Sequence, residues 1–426
     1  MKKINYLLVV LFSGLWSSVC ALGFGNEVGV GVRALSFAGN HTAVANDLSA
    51  AYWNPAALAF LPVREFQISF DGGRTYGTND ISVGGSRMNV TDDGDKWRYI
   101  SGGKMSDYKD RVRLGSIGVM SAIPTVQGGL TLAALYENPH TFDDFLNYKY
   151  KYEWNGSTET SSMESTVYGG FDNWSGSFGI QVAQGFSAGA TISLITGTEH
   201  AASNVEESYD DSDKEIDREY KYMGLGLRAG LLYAPMEFMK LGVQISTPQS
   251  MRFKKKETDN GIDSHDNGRV YCAPSGAIGA GITLPWLTIA LDGRFTMPYT
   301  FILPSEKIPE NSQAKYFKLG GGIGVEAPLS VIPVVLRGGY SYDEYDLFSR
   351  VLKYDGETID WSQGGYSIDK NRHTVTAGAG VFTSGTGVEF SYGYETWAIT
   401  YKDRYSYQEK QNFSAHRLAA AFIVRY

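Results

Sequence analysis

The stretch that decides the fold reads FSAGATISLIT and runs from Phe186 to Thr196. Every second side chain from Phe186 to Leu194 is apolar, and the side chains between them are Ser, Gly or Thr. An alternation of period two is typical of a β-strand with one apolar and one polar face. The pattern recurs at 178–182, 241–245, 287–295 and 388–394. The sequence therefore predicts an all-β protein.

Segments of this kind recur along the chain, and short connections alternate with long ones between them. Tight turns at one rim and long loops at the other are typical of outer-membrane barrels. We therefore predict a transmembrane antiparallel β-barrel over residues 63–426, with both termini in the periplasm. The fourteen candidate strands are 63–72, 111–122, 127–138, 174–184, 186–199, 217–234, 239–256, 269–284, 286–301, 313–328, 332–346, 371–383, 386–402 and 412–426.

Composition narrows the function classes. The chain has 50 Gly and 28 Tyr in 426 residues, and its net charge of −8 argues against a nucleic-acid partner. Six His and two Cys leave little for a metal cluster or a disulfide framework. We expect no cofactor and no metal. After residue 21 the chain has no apolar run long enough for a transmembrane helix.

Both ends of the chain point to export. Lys2 and Lys3 precede an apolar run, and Val19-Cys20-Ala21 fits a small-x-small cleavage site, so residues 1–21 are predicted to be a signal peptide. A lipoprotein at Cys20 is the alternative, but the residues before it match that motif poorly. The last alternating segment ends on Tyr426 and resembles the assembly signal of bacterial outer-membrane barrels. We expect the outer membrane of a Gram-negative bacterium.

Residues 22–62 do not fit the strand pattern and are rich in small side chains. Asp47 is predicted to cap one short helix. Asn54 is predicted to cap a second helix that begins at Pro55 and Ala56. A compact segment of this kind before the first strand is suited to fill a barrel lumen, and we predict a hatch, or plug, over 22–62.

The run RALSFAGNHTAVANDLSAAYWNPAALAFL, from Arg33 to Leu61, resembles the N-terminal region of the FadL/TodX transporters of long-chain fatty acids and hydrocarbons. Weaker echoes follow at Trp174 to His200 and in LPWLTIALDGRF and VLRGGYSYDEYD. The resemblance implies a monomeric fourteen-stranded barrel with the hatch in its lumen. It also implies that extracellular loops capture a hydrophobic ligand, that the hatch rearranges, and that the ligand leaves sideways through a gap made by an inward kink of the third strand.

The resemblance directs attention to the third predicted strand, 127–138. Asn138 and Pro139 stand at its outer end, and proline cannot donate to a strand ladder. They are the candidate kink and lateral opening. Two alternatives remain: an ordinary proline at a strand end, or a kink nearer Ala133-Ala134.

The long loop that follows is unusually apolar, and its side chains are candidates for ligand capture. An aromatic girdle with a loop hairpin is the alternative. The candidates are Phe142, Phe145, Leu146 and Trp154.

Charged side chains offer weaker candidates. Arg228, Arg294 and Arg337 are predicted to face the lumen, where they could receive a ligand carboxylate or pair with Asp292 or Glu326. Arg252 and Lys254–Lys256 lie at the outer rim, where they would neutralise lipopolysaccharide phosphates or serve only as a solubilising rim.

No His lies in a Ser or Cys nucleophile motif, and Ser414-Ala415-His416 gives no triad from sequence. We therefore expect no enzyme. The predicted function is outer-membrane uptake of hydrophobic compounds, and the partners are these small molecules together with outer-membrane lipids and lipopolysaccharide. The alternative is a barrel of the same type that serves attachment or a secretion system without transport.

Overall fold

The structure is a computed structural model that describes residues 26–27, 29–83, 89–90, 96–102, 105–125, 128–142, 144–154, 157–207, 210–259, 261–298, 317–329, 331–344, 351–354, 357–359, 366–402 and 407–426. The predicted signal peptide, residues 1–21, lies outside the described residues. The described helices are α1 Val32–Ser36, α2 Ala50–Trp53 and a 3-10 helix Pro55–Phe60. None of them is long and apolar enough to cross a membrane.

The remainder is a closed antiparallel barrel of 14 strands, as predicted. Each strand pairs with its neighbours in the chain, and the last strand pairs with the first from Glu65–Arg425 to Val83–Tyr407. In chain order the strands are β1 Arg64–Val83, β2 Met105–Ile123, β3 Leu130–Thr141, β4 Ser157–Ala183, β5 Phe186–Glu207, β6 Asp210–Met236, β7 Met239–Ser246 continued by Gln249–Asp259, β8 Ile262–Cys272 continued by Ser275–Leu284, β9 Leu287–Thr296, β10 Lys318–Pro328, β11 Val334–Asp343, β12 Tyr366–Phe382, β13 Thr386–Lys402 and β14 Tyr407–Arg425.

Short strands outside this wall extend the sheet at the long-loop end. They are Asn26–Glu27, Asn89–Val90, Lys96–Gly102, Asp144–Trp154, Val351–Tyr354 and Glu357–Ile359.

The apolar faces of the wall point outward. On β5, Ile192 is 63% exposed, while Ser187 and Thr191 on the opposite face are buried. A water-soluble sheet would place these faces the other way round. Outward apolar residues are what lipid requires, because hydrocarbon cannot solvate a polar side chain.

Several strands are longer than the sequence predicted. β4 begins at Ser157 rather than 174, so the predicted long loop 139–173 is wrong, and most of the predicted loop 200–216 lies in β5 and β6. Above the membrane both faces of a strand meet polar surroundings, so no apolar face marks the strand in the sequence.

Two strands are interrupted at matching heights. β7 breaks at Thr247-Pro248 and β8 at Ala273-Pro274, since proline cannot donate to the ladder. Below the break β8 pairs with β9, and above it β8 pairs with Val351–Tyr354. Above the breaks β7 remains paired with β6, and the described pairing of β8 with β9 ends at Ser275–Thr296.

Candidate functional site

Residues 29–61, which we call the hatch segment, are almost entirely buried within the barrel. Leu48 and Leu58 share one apolar cluster with the inward-facing wall residues Met120 and Leu232. Leu232 lies close to the short turn that ends β6, so the segment contacts the wall near its short-turn end.

Asn54 caps the 3-10 helix, as the sequence predicts. Its Oδ1 accepts a hydrogen bond from Ala56 N at 3.2 Å, and Pro55 occupies the first helical position. Its Nδ2 donates to Thr42 O at 2.9 Å and to Leu231 O of the wall at 3.1 Å. The amide therefore fixes the hatch segment internally and against β6.

Asp47 does not cap α2, contrary to the prediction. The residue before α2 is Ser49, whose side chain makes no capping bond. Asp47 Oδ1 instead accepts from Ser49 N at 3.0 Å and from Ser49 Oγ. The carboxylate thus shapes the turn that precedes the helix.

The polar face of β5 receives the hatch segment. Ser187 Oγ donates to Ala56 O at 2.8 Å, and Thr191 Oγ1 donates to Ala51 O at 2.6 Å. Close approach also needs glycine in β6, because a Cβ at Gly230 would lie 2.0 Å from Asn54 Oδ1. The small side chains that mark this face in the sequence are therefore a contact surface for the hatch segment.

Ion pairs join α1 to the opposite wall. Arg33 Nε lies 2.8 Å from Glu326 Oε2, and Arg33 also donates to Val44 O. Arg337 lies 2.7 Å from the same Glu326 and 2.8 Å from Glu389. Arg33, Arg337 and Glu389 are buried and Glu326 is half-buried, so each charge depends on its partners.

His41 is enclosed in the hatch segment beside the aromatic rings of Phe37 and Trp53. Its backbone N–H donates to Asp292 Oδ2 at 2.8 Å, but its ring nitrogens have no hydrogen-bond partner in the described part of the chain. Burial, together with the positive charge of Arg33, lowers the pKa of His41 to about 3. The ring is therefore neutral at physiological pH.

Both strands of the closing seam also hold the hatch segment. Glu65 on β1 accepts from Leu48 N at 2.8 Å and from Arg425 Nε at 2.6 Å. Arg425 on β14 donates in addition to Asn46 O at 3.3 Å.

The three arginines proposed as carboxylate receptors face the lumen and have partners within the protein. Arg337 is bound to Glu326, one of the partners weighed from the sequence. Arg294 is paired with Asp343 at 2.9 Å. Arg228 donates to Tyr52 O and lies over the Tyr52 ring. A ligand carboxylate would have to compete with these contacts.

The regular pairing of β3 with β2 ends close to Asn138 and Pro139. The ladder between β2 and β3 runs from Ile123–Leu130 to Ser116–Glu137 and stops there. On the other side of β3, the pairing with β4 shifts register between Glu137 and His140. β3 itself continues past Pro139 to Thr141.

The other alternative, a kink near Ala133-Ala134, also disagrees with the structure. Ala133 and Ala134 pair regularly with Met120 and Val119 of β2. Pairing with β4 is equally regular at these two residues.

A series of hydrogen-bonded polar side chains connects β1, β2, β3 and β4 where the β2–β3 ladder ends. Arg113 binds Asp71 at 2.5 Å and donates to Asn138 Oδ1. Asn138 Nδ2 and the Tyr136 hydroxyl both donate to Asp172 at 2.6 Å. Asp71 and Arg113 are paired on the lumen face, whereas Asp172 lies on the outward face of β4. This series of side-chain contacts therefore runs from the lumen face of the wall to its outer face.

Two backbone features accommodate this bridge. Gly115 is an extra residue in β2, between the pairs Ser69–Ser116 and Phe70–Leu114, and a Cβ there would lie 2.5 Å from Asp71 Oδ2. The edge of β3 left free by β2 pairs instead with Asn26–Glu27, next to His140 and Thr141.

An aromatic cluster lies in the lumen above the hatch segment. Phe142 is fully buried, and its ring centroid is 4.7 Å from that of Phe171 and 6.1 Å from that of Tyr222. Phe253 packs 6.1 Å from Tyr222, whose hydroxyl donates to Glu199 at 2.6 Å. These rings form a buried apolar cluster inside the barrel.

Of the loop residues proposed for ligand capture, Phe142 thus belongs to an interior cluster rather than to an exposed loop. Phe145, Leu146 and Trp154 lie on the short strand Asp144–Trp154, and their side chains are outside the described part of the structure. Among the described residues, no group of three or more His, Cys, Asp or Glu side chains could hold a metal ion.

Sequence reasoning missed Arg33, Asp71, Arg113 and Asp172. Arg33 lies inside the motif that carries the family resemblance, but its partner Glu326 is distant in sequence. Asp71 and Arg113 are charged residues on inward faces, which is a usable signal, since buried charges are usually paired.

No family model matches the chain, and no curated protein matches its sequence. Solved structures do match its fold. The toluene transporter TodX of P. putida is 12% identical with a TM-score of 0.57, and the toluene transporter TbuX of Ralstonia pickettii is 13% identical with a TM-score of 0.53. Each comparison covers 94% of this chain and 99% of the other.

A third match is the monoaromatic hydrocarbon channel CymD, which is 12% identical with a TM-score of 0.50 over 93% of this chain and 98% of that one. At such low identity these likenesses concern the fold. The resemblance to FadL/TodX transporters inferred from the sequence is confirmed at that level: the chain has the fourteen-stranded barrel of these hydrocarbon channels.

Proposed function

We propose that this chain is an outer-membrane channel for the uptake of hydrophobic compounds. One observation carries the proposal: in a barrel with an apolar exterior, the β2–β3 ladder ends just before Asn138, close to the buried aromatic cluster around Phe142. The fold shared with toluene and monoaromatic hydrocarbon channels supports it.

The route begins at the long-loop end, where the ligand enters the cluster around Phe142. Rearrangement near the hatch segment then admits it to the wall between β2 and β3. It leaves sideways at Asn138 and Pro139, and the bridge from Arg113 to Asp172 opens as it passes. A lateral exit keeps an apolar solute out of water, which is worth about 0.8 kcal/mol for each buried methylene.

Contacts of the hatch segment favour this lateral route over a path straight through the lumen. Arg33, Asn54 and Glu65 tie the segment to widely separated strands of the wall. Moving the whole segment would break buried ion pairs, which is costly. We therefore assign residues 22–62 the role of a plug that stays largely in place.

The ligand class follows from the lumen arginines. Arg228, Arg294 and Arg337 are engaged by groups of the protein itself. This favours uncharged hydrocarbons over fatty-acid carboxylates among the two classes expected from the sequence.

The remaining expectations belong to the same proposal. The protein acts as a monomer without enzymatic activity in the outer membrane of a Gram-negative bacterium, after removal of residues 1–21. The first wall strand begins and the last ends at the short-turn rim, which we place in the periplasm. Its surroundings are outer-membrane lipids and lipopolysaccharide.

The test is uptake of labelled toluene and of a labelled long-chain fatty acid by cells with and without the protein, combined with mass spectrometry of what co-purifies. Faster entry of either compound supports the channel, and a preference for toluene supports the uncharged class. No change in uptake, with a protein co-purifying instead, favours the attachment or secretion role.

A further inference from the structure

The outer surface of the upper β6–β8 region carries a row of cations that come from three neighbouring strands. Arg252 on β7 is paired directly with Arg269 on β8. Lys254, two residues along, is paired with Lys221 of β6. Arg252, Lys254 and Arg269 are all exposed, while Met251 and Phe253 between them point into the barrel.

Carboxylates on the same surface leave this row uncompensated. Glu219 is paired with Lys221 at 3.0 Å, and Asp263 with Lys256 at 3.2 Å. Neither carboxylate contacts Arg252, Lys254 or Arg269, and these three have no ion-pair partner in the described part of the chain. Like charges directly opposite each other destabilise a strand pair, so an external anion would stabilise the arrangement.

Lys255 points to the opposite side of the sheet from Lys254 and Lys256, its neighbours in the sequence. It points inward and lies 2.5 Å from Glu257, which Arg218 also contacts at 2.7 Å. The basic rim read from the sequence as Arg252 and Lys254–Lys256 is therefore wrong in its membership. The register adds Arg269 to the row and removes Lys255.

The height of the row identifies the anion. Arg252 stands about thirteen positions beyond Met239, where β7 begins, and a tilted strand crosses a bilayer in roughly 9–11 residues. Leu225, two positions below on β6, is 65% exposed, and Met223, which is paired with Arg252, is 60% exposed. The row thus begins where the lipid-facing surface ends, at the level of lipid headgroups.

We propose that Arg252, Arg269 and Lys254, with Lys221 beside them, bind the phosphate groups of a phosphorylated glycolipid in the surrounding leaflet. Arginine holds phosphate through paired N–H donors, and the apolar wall below receives the acyl chains. The inference is independent of transport, because the row faces the membrane and not the lumen.

The test uses the purified full-length protein in detergent, diphosphoryl lipid A as the probe, and native mass spectrometry as the readout. We expect the double variant R252Q/R269Q to retain at least about tenfold less of this lipid. Arg64→Gln is the matched control, because Arg64 is an exposed cation at the short-turn end. It should retain the lipid fully. Lipid A stripped of its phosphates should bind the unaltered protein as weakly as diphosphoryl lipid A binds the double variant.

A second measurement keeps the test decisive. Without lipid, removal of opposed like charges should leave thermal stability in detergent unchanged or higher, and added diphosphoryl lipid A should stabilise only the unaltered protein and Arg64→Gln. Equal lipid retention by the double variant overturns the proposal. So does equal retention of the dephosphorylated lipid. Displacement of the lipid by inorganic phosphate at low millimolar concentration would assign the row to free phosphate and also overturn it.

Discussion

Arg113 on β2 donates a hydrogen bond to Asn138 Oδ1 on β3 just beyond the last pair of the β2–β3 ladder. A side-chain contact thus replaces backbone pairing between β2 and β3 beyond the end of their ladder. Backbone ladders are difficult to open, because every broken bond exposes polar groups to lipid. A single side-chain bridge is a more suitable closure for a passage that must open repeatedly.

Asn138→Ala should remove the middle of the bridge and speed toluene uptake by cells several-fold. Arg113 and Asp172 would each lose a partner, at a cost of about 1–3 kcal/mol, which weakens the closed state. Ser177→Ala is the control, since its hydroxyl binds Thr191 inside the intact β4–β5 pairing. Uptake equal to that of the control would show that the bridge does not limit passage.

Arg33→Met should loosen the hatch segment without unfolding the barrel. Removing one partner of a buried ion pair costs on the order of 3–5 kcal/mol, and Glu326 would keep only Arg337. Liposome swelling should then show increased permeation of small sugars. Arg417→Met removes a comparable pair with Glu395 that lies wholly in the wall, and should leave permeation unchanged. Equal leakage from both variants contradicts the anchoring role of Arg33.

Substitutions at Asn54 separate capping from wall attachment. Asn54→Ser keeps an acceptor for Ala56 N but loses the two bonds donated by Nδ2, so we expect intermediate leakage in the same swelling assay. Asn54→Asp also keeps the cap, but it sets a carboxylate against Thr42 O and Leu231 O and should leak more than Ser. A purely capping role predicts that both variants behave like the unaltered protein.

Phe142→Ala should weaken binding of toluene to the purified protein by about tenfold. The ring supplies buried aromatic contact worth roughly 1–1.5 kcal/mol in such clusters. Phe390→Ala is the matched control, because that ring is 58% exposed on the outer wall. Titration followed by intrinsic fluorescence measures both variants. Full affinity in Phe142→Ala would place the binding site elsewhere.

Seating of the hatch segment should depend on pH through His41. Its pKa is lowered to about 3 from an ordinary value of 6.5, so a released segment takes up a proton that the seated one refuses. The stabilisation is therefore complete above pH 6.5 and falls as pH drops towards 3, by about 1.4 kcal/mol per pH unit. Sugar permeation should rise between pH 6.5 and pH 4. In His41→Phe, which cannot titrate, the rise should be smaller or absent.

The wall was predictable because lipid imposes one simple rule on each strand. In FSAGATISLIT the apolar residues face lipid and the small ones face the hatch segment, and both constraints repeat with period two. The Asn54 cap was predictable for a similar reason: the bond to Ala56 N joins residues two apart. Local patterns and local bonds are visible in one sequence.

Long-range partners were not predictable in this way. Arg113 and Asn138 carry no shared pattern, and their meeting depends on the extra residue Gly115 and on the register of β2 against β3. Phe142 looked like a loop residue because the part of β4 that extends above the membrane is mostly polar and was not recognised as a strand. The pairing of Arg252 with Arg269 likewise requires the β7–β8 register.

Glu65 gives the order of events when the molecule is made. It holds Leu48 with one oxygen and Arg425 with the other, so the seat of the hatch segment is complete only when β14 has joined β1. The hatch segment therefore reaches all of its final contacts only after β14, the last strand, has paired with β1. A barrel that has not closed lacks part of this contact site. A tightly held hatch segment therefore indicates a barrel whose assembly is complete.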